Sequence, residues 1–248
     1  MTLEIATFLM AGLVGGAVNA AAGGAKLFVF PMLLATGLPP IAANVTQGVA
    51  LWPAQLPAVW VYRRTLLAEA RTLVRQVIPA LAGALAGAVT MLNAGDEAFV
   101  RVVPLLLAVA VAAIVLGPRA TGLMRRAFPG DRLRAATGVL LAGIGFYGGF
   151  FGAGMGFMLL AVLSASTGRG IGQVNGAKNL FATAIQSVAV VPMILSGLTD
   201  WRAALCVLAG GIVGGYFGAQ ITRRLPERPV RIAVAALGVI LTLSFLTS

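Results

Sequence analysis

Apolar residues run along this chain in long blocks, and only short polar gaps separate one block from the next. A span of about 20 apolar residues is long enough to cross a bilayer as a helix. Such spans lie near residues 43–62, 76–92, 100–117, 174–195, 203–222 and 231–247. Two further apolar stretches, 3–38 and 136–168, are too long for one crossing. As a single helix the first would measure roughly 54 Å, against a hydrocarbon core of about 30 Å. Glycine interrupts each near its middle, at Gly23-Gly24 and across Gly148 to Gly154. Each is read as a helical hairpin with arms of about 15 residues, entering and leaving on one side with its turn shielded inside the protein. Two short complete helices are the alternative.

The polar gaps assign direction, because Lys and Arg accumulate in cytoplasmic loops. Arg63, Arg64, Arg71 and Arg75 outnumber Glu69 in one gap, and Arg119, Arg125, Arg126, Arg132 and Arg134 outnumber Asp131 in another. With Arg223, Arg224, Arg228 and Arg231, these mark the inside. Asp96 and Glu97 against Arg101 mark the outside, as does the balanced pair Asp200 and Arg202. Alternation then puts 39–43 outside, 169–173 inside and both termini outside, in the periplasm of a bacterial inner membrane. The two halves, 1–118 and 136–248, run in opposite senses across an Arg-rich cytoplasmic linker at 119–135.

Internal repetition matches that reading. An offset of 131 pairs Gly12 with Gly143, Gly23 with Gly154, Asn44 with Asn175 and Gln55 with Gln186. An offset of 127 pairs Leu81-Ala82-Gly83 with Leu208-Ala209-Gly210, and Gly87 with Gly214. The expected fold is an all-α polytopic membrane protein of two inverted-topology repeats, each a Gly-broken hairpin plus three transmembrane helices. Many secondary transporters use this plan for alternating access.

Composition narrows the function. The 248 residues are 59% apolar and 10% charged, with a mean hydropathy of +0.97. Soluble domains run near 45–50% apolar and about 25% charged, so a soluble enzyme is excluded. His is absent and Cys206 is the single cysteine, which removes zinc, haem, CxxC and disulfide chemistry. No cofactor and no metal is expected. The formal charge of +11 is assigned to loops facing anionic lipid, with no nucleic-acid partner required. Glu4 in place of a basic leader region, and the length of the first apolar run, speak against a secretory signal.

Only two lysines are present, and neither lies in a basic loop. Lys26 follows the first glycine break; Lys178 sits in Asn175-Gly-Ala-Lys-Asn179. An ammonium within the membrane usually faces a polar cavity and marks a pathway; snorkelling to the headgroups is the bland alternative. All seven acids (Glu4, Glu69, Asp96, Glu97, Asp131, Asp200 and Glu227) fall at termini or in loops. Buried carboxylates of the kind that carry protons or cations are therefore missing, and an anion is the natural cargo. Neutral polar groups gather nearby: Asn44, Thr46, Gln47 and Gln55 in one half, Asn175, Asn179 and Gln186 in the other, and Asn19 beside the first break. These amides are candidate oxyanion donors, with interhelical hydrogen bonding as the alternative. Peptide N–H groups freed at Gly23, Gly24 and Gly154 add to the set. Trp52 is a further candidate for the cavity wall, whereas Trp60, Tyr62 and Trp201 fit an interfacial belt. Gly83, Gly87, Gly210, Gly214 and Gly218, four apart, read as close helix packing. Pro53, Pro57 and Pro79 are expected to kink helices.

At these residues the chain resembles the TauE/SafE family of sulfite and organosulfonate exporters. The first-half resemblance lies in Asn19-Ala-Ala-Ala-Gly-Gly-Ala-Lys-Leu-Phe-Val-Phe-Pro31, Gly37-Leu-Pro-Pro40, Ala43-Asn-Val-Thr46, Trp52-Pro53 and Tyr62-Arg-Arg64. The second lies in Gly148-Gly-Phe-Phe-Gly-Ala-Gly-Met-Gly156, Asn175-Gly-Ala-Lys-Asn-Leu180, Asp200-Trp201 and Gly214-Gly-Tyr-Phe-Gly-Ala-Gln-Ile-Thr-Arg-Arg224. The resemblance covers almost the whole chain and implies outward transport of small sulfur-containing anions. One departure is Gly23-Gly24-Ala25-Lys26, where the family usually has a Gly-Gly-Gly run followed by a small residue; the added charge points to a more anionic substrate. The expected activity is a secondary carrier for a sulfonate, sulfite or related oxyanion, with an anion channel of the same architecture as the alternative. Expected partners are that anion and anionic lipid at the Arg loops, with a homodimer left open.

Overall fold

The computed structural model describes residues 2–22, 24–127 and 131–222, together with 232, 235–236 and 238–240. Among them every regular element is helical. The order is α1 (Thr2–Ala22), α2 (Ala25–Leu34), α3 (Pro40–Leu51), a 3₁₀ turn (Pro53–Gln55), α4 (Leu56–Ala68), α5 (Ala70–Asn93) and α6 (Asp96–Ala127). Then follow α7 (Asp131–Phe150), α8 (Met155–Thr167), α9 (Ile171–Leu195) and α10 (Trp201–Thr222). Three segments, Ala70–Asn93, Asp96–Gly117 and Gly172–Leu195, are long and apolar enough to cross a membrane; shorter apolar helices accompany them.

Both apolar stretches that exceed one crossing break where glycine predicts, but into unequal arms. α1 has 21 residues and α2 only 10; α7 has 20 and α8 has 13. At 1.5 Å per residue the short arms reach roughly half the hydrocarbon depth. α8 is bounded at both ends by left-handed glycines, Gly154 at φ 70° and Gly168 at φ 75°, a conformation that only glycine adopts cheaply. The span expected at 43–62 is also divided. Pro53 and Pro57 each lack an N–H, and the chain passes through the 3₁₀ turn before α4 resumes. Pro79 is carried inside α5. Within the expected linker 119–135, the described residues continue α6 and open α7. The span at 231–247 lies outside the described residues apart from the few named above.

Glycine sets the closest packing. Gly12 and Gly16 of α1 press on the backbone of α10 at Val207 and Gly211, while Gly210 and Gly214 of α10 press on Leu9 and Leu13 of α1. α5 and α7 repeat the arrangement. Gly83 and Gly87 face the backbone at Ala142 and Phe146, and Gly145 and Gly149 face Ala80 and Ala84. At each of these glycines a Cβ would overlap the opposing main chain, so no other residue permits this approach. In each pair both numbers rise together, so the helices run parallel. The two pairs share one register, related by +133 in the hairpin arms and −127 in their partners. Gly12 therefore corresponds in packing to Gly145 and not, as an offset of 131 predicts, to Gly143, which has nothing within 4 Å. No surroundings are described for Gly218.

Three hydrogen-bonded ties sort the turns into two faces. The Ile41 N–H donates to Asp96 Oδ1 at 2.8 Å, and the Asp200 N–H donates to Thr46 Oγ1 at 3.0 Å. On the opposite face Arg169 Nη1 lies 2.7 Å from both oxygens of Glu69, which holds the guanidinium above its ordinary range. The Ile41–Asp96 and Glu69–Arg169 ties each join segments that charge and alternation assign to the same side, and the Asp200–Thr46 tie reaches from such a segment into α3. The core divides likewise, one cluster around Phe30, Phe99 and Phe151, the other around Leu141, Leu159, Phe181 and Ile185.

Candidate functional site

A helix that stops inside a membrane leaves its last carbonyls without partners, and no water is present to supply them. The end of α7 meets this with side chains from four helices. Asn44 Nδ2 of α3 donates to the Phe150 carbonyl at 2.9 Å, and Lys26 Nζ of α2 donates to Phe151 at 2.7 Å. Tyr147 Oη of α7 donates to Ala153 at 2.6 Å, and Gln186 Nε2 of α9 reaches Gly148 at 3.5 Å. These four carbonyls are thus capped, whereas the N–H groups of Gly152 and Ala153 have no hydrogen-bond partner among the described residues.

Beside this break lies a cavity of about 280 Å³ whose wall includes Gly152 and Ala153. Both lysines border it. Lys26 is 7% exposed; its Nζ lies 3.1 Å from where a side chain on Gly152 would begin, and Gln186 Nε2 lies 3.0 Å from the same point. Gly152 itself sits at φ 82°. Across the cavity the half-buried Lys178 runs its stem over Gly156, with Cδ 3.6 Å from where a Cβ would stand. Lys178 has no hydrogen bond or ion pair among the described residues. The hydroxyl of Thr183, also on the wall, is buried and unpartnered. Among the described residues no carboxylate borders the cavity. Two lysine amines, free peptide N–H groups and a free hydroxyl, with no acid beside them among the described residues, are groups able to donate to an anion.

The expected site residues divide into two sets. Lys26, Lys178, Asn179, Gln55, Gln186 and Asn19 come together at the cavity. Asn44, Thr46 and Gln47 are fully buried but serve the frame. Asn44 caps α7, Gln47 donates to Asn44 Oδ1 at 2.9 Å, and Thr46 accepts from Asp200. Asn175 donates to Tyr62 Oη at 3.1 Å, away from the cavity wall. Trp52 donates from Nε1 to Ser187 Oγ at 2.8 Å and also lies off the wall. Gly154 caps α8 against Ala110, and Gly24 is buried at the start of α2. Gly23 lies outside the described residues. Sequence reasoning missed Gly152, Thr183 and Tyr147. The run Gly148 to Gly154 flagged the break, but not which of its peptides would face the cavity.

The model of the sulfite exporter TauE/SafE family matches residues 8–245. A probable membrane transporter protein of Haemophilus influenzae is 23% identical over 96% of this chain and 92% of its own length. The probable membrane transporter protein YfcA of Escherichia coli K12 is 20% identical over 98% of this chain and 90% of its own. No solved structure matches closely. The chain belongs to the TauE/SafE family, a family of membrane transporters.

Proposed function

We propose that this TauE/SafE protein carries a small anion, a sulfonate, sulfite or related oxyanion, outward across the bacterial inner membrane by alternating access. The observation that carries this reading is the cavity at the α7–α8 break, bordered by both lysines of the chain and, among the described residues, by no carboxylate. Lys26 and Lys178 supply charge, while Gly152, Ala153, Thr183 and Asn179 supply donors. The same-register glycine pairs and the two sets of face ties support two inverted repeats, spanning 1–118 and 136–248, with both termini periplasmic. Efflux needs no coupling acid: a negative cell interior favours anion exit by about 2.3 kcal/mol per charge per 100 mV.

Detergent-purified protein titrated with sulfite, sulfate and small sulfonates is expected to gain thermal stability with at least one of them. Removing a charge-assisted hydrogen bond forfeits about 1.5–3 kcal/mol, so Lys26→Ala and Lys178→Ala should each weaken that binding roughly 10- to 100-fold. In liposomes under an imposed potential the same anion should move charge and show counterflow. Unchanged affinity in both variants, or electroneutral flux, overturns the assignment.

A further inference from the structure

A second cavity, of about 220 Å³, lies on the face that carries Glu69 and Arg169. Three elements wall both cavities, α9 running from the second to the first and the other two from the first to the second. On α9, Val174 and Gly176 line the second cavity, and Lys178 through Gln186 line the first. Gln55, where the 3₁₀ turn meets α4, borders the first, and Tyr62 to Leu66 on α4, with Glu69 just past its end, border the second; on α8, Met155 and Gly156 precede Leu163 and Thr167 in the same way. The cavities are therefore stacked along one axis.

Tyr62 lines the second cavity beside the point on α9 where its wall gives way to that of the first, between Ala177 and Lys178. Its ring packs on the backbone of Gly176, 3.1 Å from where a Cβ would be, and its hydroxyl accepts from Asn175 Nδ2. The opposite side of the first cavity is sealed far more heavily. There Phe30 meets Phe99 and Phe151 edge-on at centroid distances of 6.0 and 5.5 Å, and Phe99 meets Phe150 at 5.7 Å. A single hydrogen-bonded ring on one side and a four-ring cluster on the other describe a site poised to open toward Glu69.

We propose that the second cavity is the antechamber of the anion pathway, that Tyr62 is its gate, and that the Glu69–Arg169 pair is the latch. This rests on the transport reading above and adds its route. Glu69 and Arg169 tie the α4–α5 turn to the α8–α9 turn across the antechamber mouth, at 2.7 Å. An anion arriving there competes with Glu69 for the same guanidinium. Its binding loosens the tie that holds α4 against α9, the two helices on which the Tyr62 contact depends. The chemistry that recruits the cargo is thus the chemistry that frees the gate.

The test needs no transported anion. Ala182, on the wall of the first cavity, is replaced by Cys in a Cys206→Ser background. A membrane-impermeant thiol reagent is then applied to vesicles of each orientation. Tyr62→Ala and Glu69→Gln are expected to speed labelling from the Glu69 face roughly five- to tenfold, as loss of one hydrogen bond and its packing shifts an open–closed equilibrium. Tyr62→Phe, which keeps the ring and loses the bond, should fall between. Labelling from that face at the parent rate in Tyr62→Ala and Glu69→Gln, or acceleration only from the opposite face, overturns the gate. Cargo identity fails separately, through unchanged anion affinity in the lysine variants.

Discussion

Gly152 shows how one missing side chain shapes the site. Its φ of 82° strains any L-residue, by roughly 1–2 kcal/mol. A Cβ there would also stand 2.7 Å from the Gly148 carbonyl and within 3.1 Å of both Gln186 Nε2 and Lys26 Nζ. Gly152→Ala is expected to abolish anion-induced stabilisation while lowering the thermal midpoint of the empty protein only modestly, as followed by thermal unfolding with and without anion. The lysines were legible in the sequence because a cation within an apolar block is conspicuous. Gln186 and Gln55 were legible because they recur at matching depth. Asn44, which recurs as Asn175, carries the same signal and yet caps the hairpin end with Gln47 bracing it, since an amide serves a backbone carbonyl as readily as an anion. Sequence marks a polar residue in the membrane but does not tell which partner it finds.

At the scale of helices, glycine spacing determines what sits beside what. Gly210→Val and Gly83→Val push side chains into opposing backbone, and overpacking of this kind costs about 1–3 kcal/mol. Both should lower the unfolding temperature in detergent. Gly143→Ala provides the contrast: Gly143 is exposed, with nothing within 4 Å, so removing a helical glycine should be neutral or stabilise by up to about 1 kcal/mol. A destabilised Gly143→Ala would contradict the register described here. The four-residue spacing announced close packing, but the identity of the opposing helix did not follow from it. Nor did the unequal hairpin arms, because apolar length alone does not say where along the membrane normal a glycine break falls.

For the whole molecule the contacts cross the midpoint of the chain. α1 of the first half is seated on α10 of the second, and α7 of the second on α5 of the first. Residues 1–127 and 131–248 produced as separate chains should each be unstable alone and should co-purify when made together. A well-folded, monodisperse single half would contradict this interlock. Charge alternation foretold which turns share a face, since opposite charges such as Glu69 and Arg169 pair only where the helices deliver them together. It could not foretell the exchange of partners between halves. That exchange constrains any working stroke. Were α1 to swing it would carry α10, encoded 195 positions further on, and α7 would carry α5, encoded about 60 positions earlier, so the rigid units would not be the two halves of the sequence but two composites, each assembled from a piece of both.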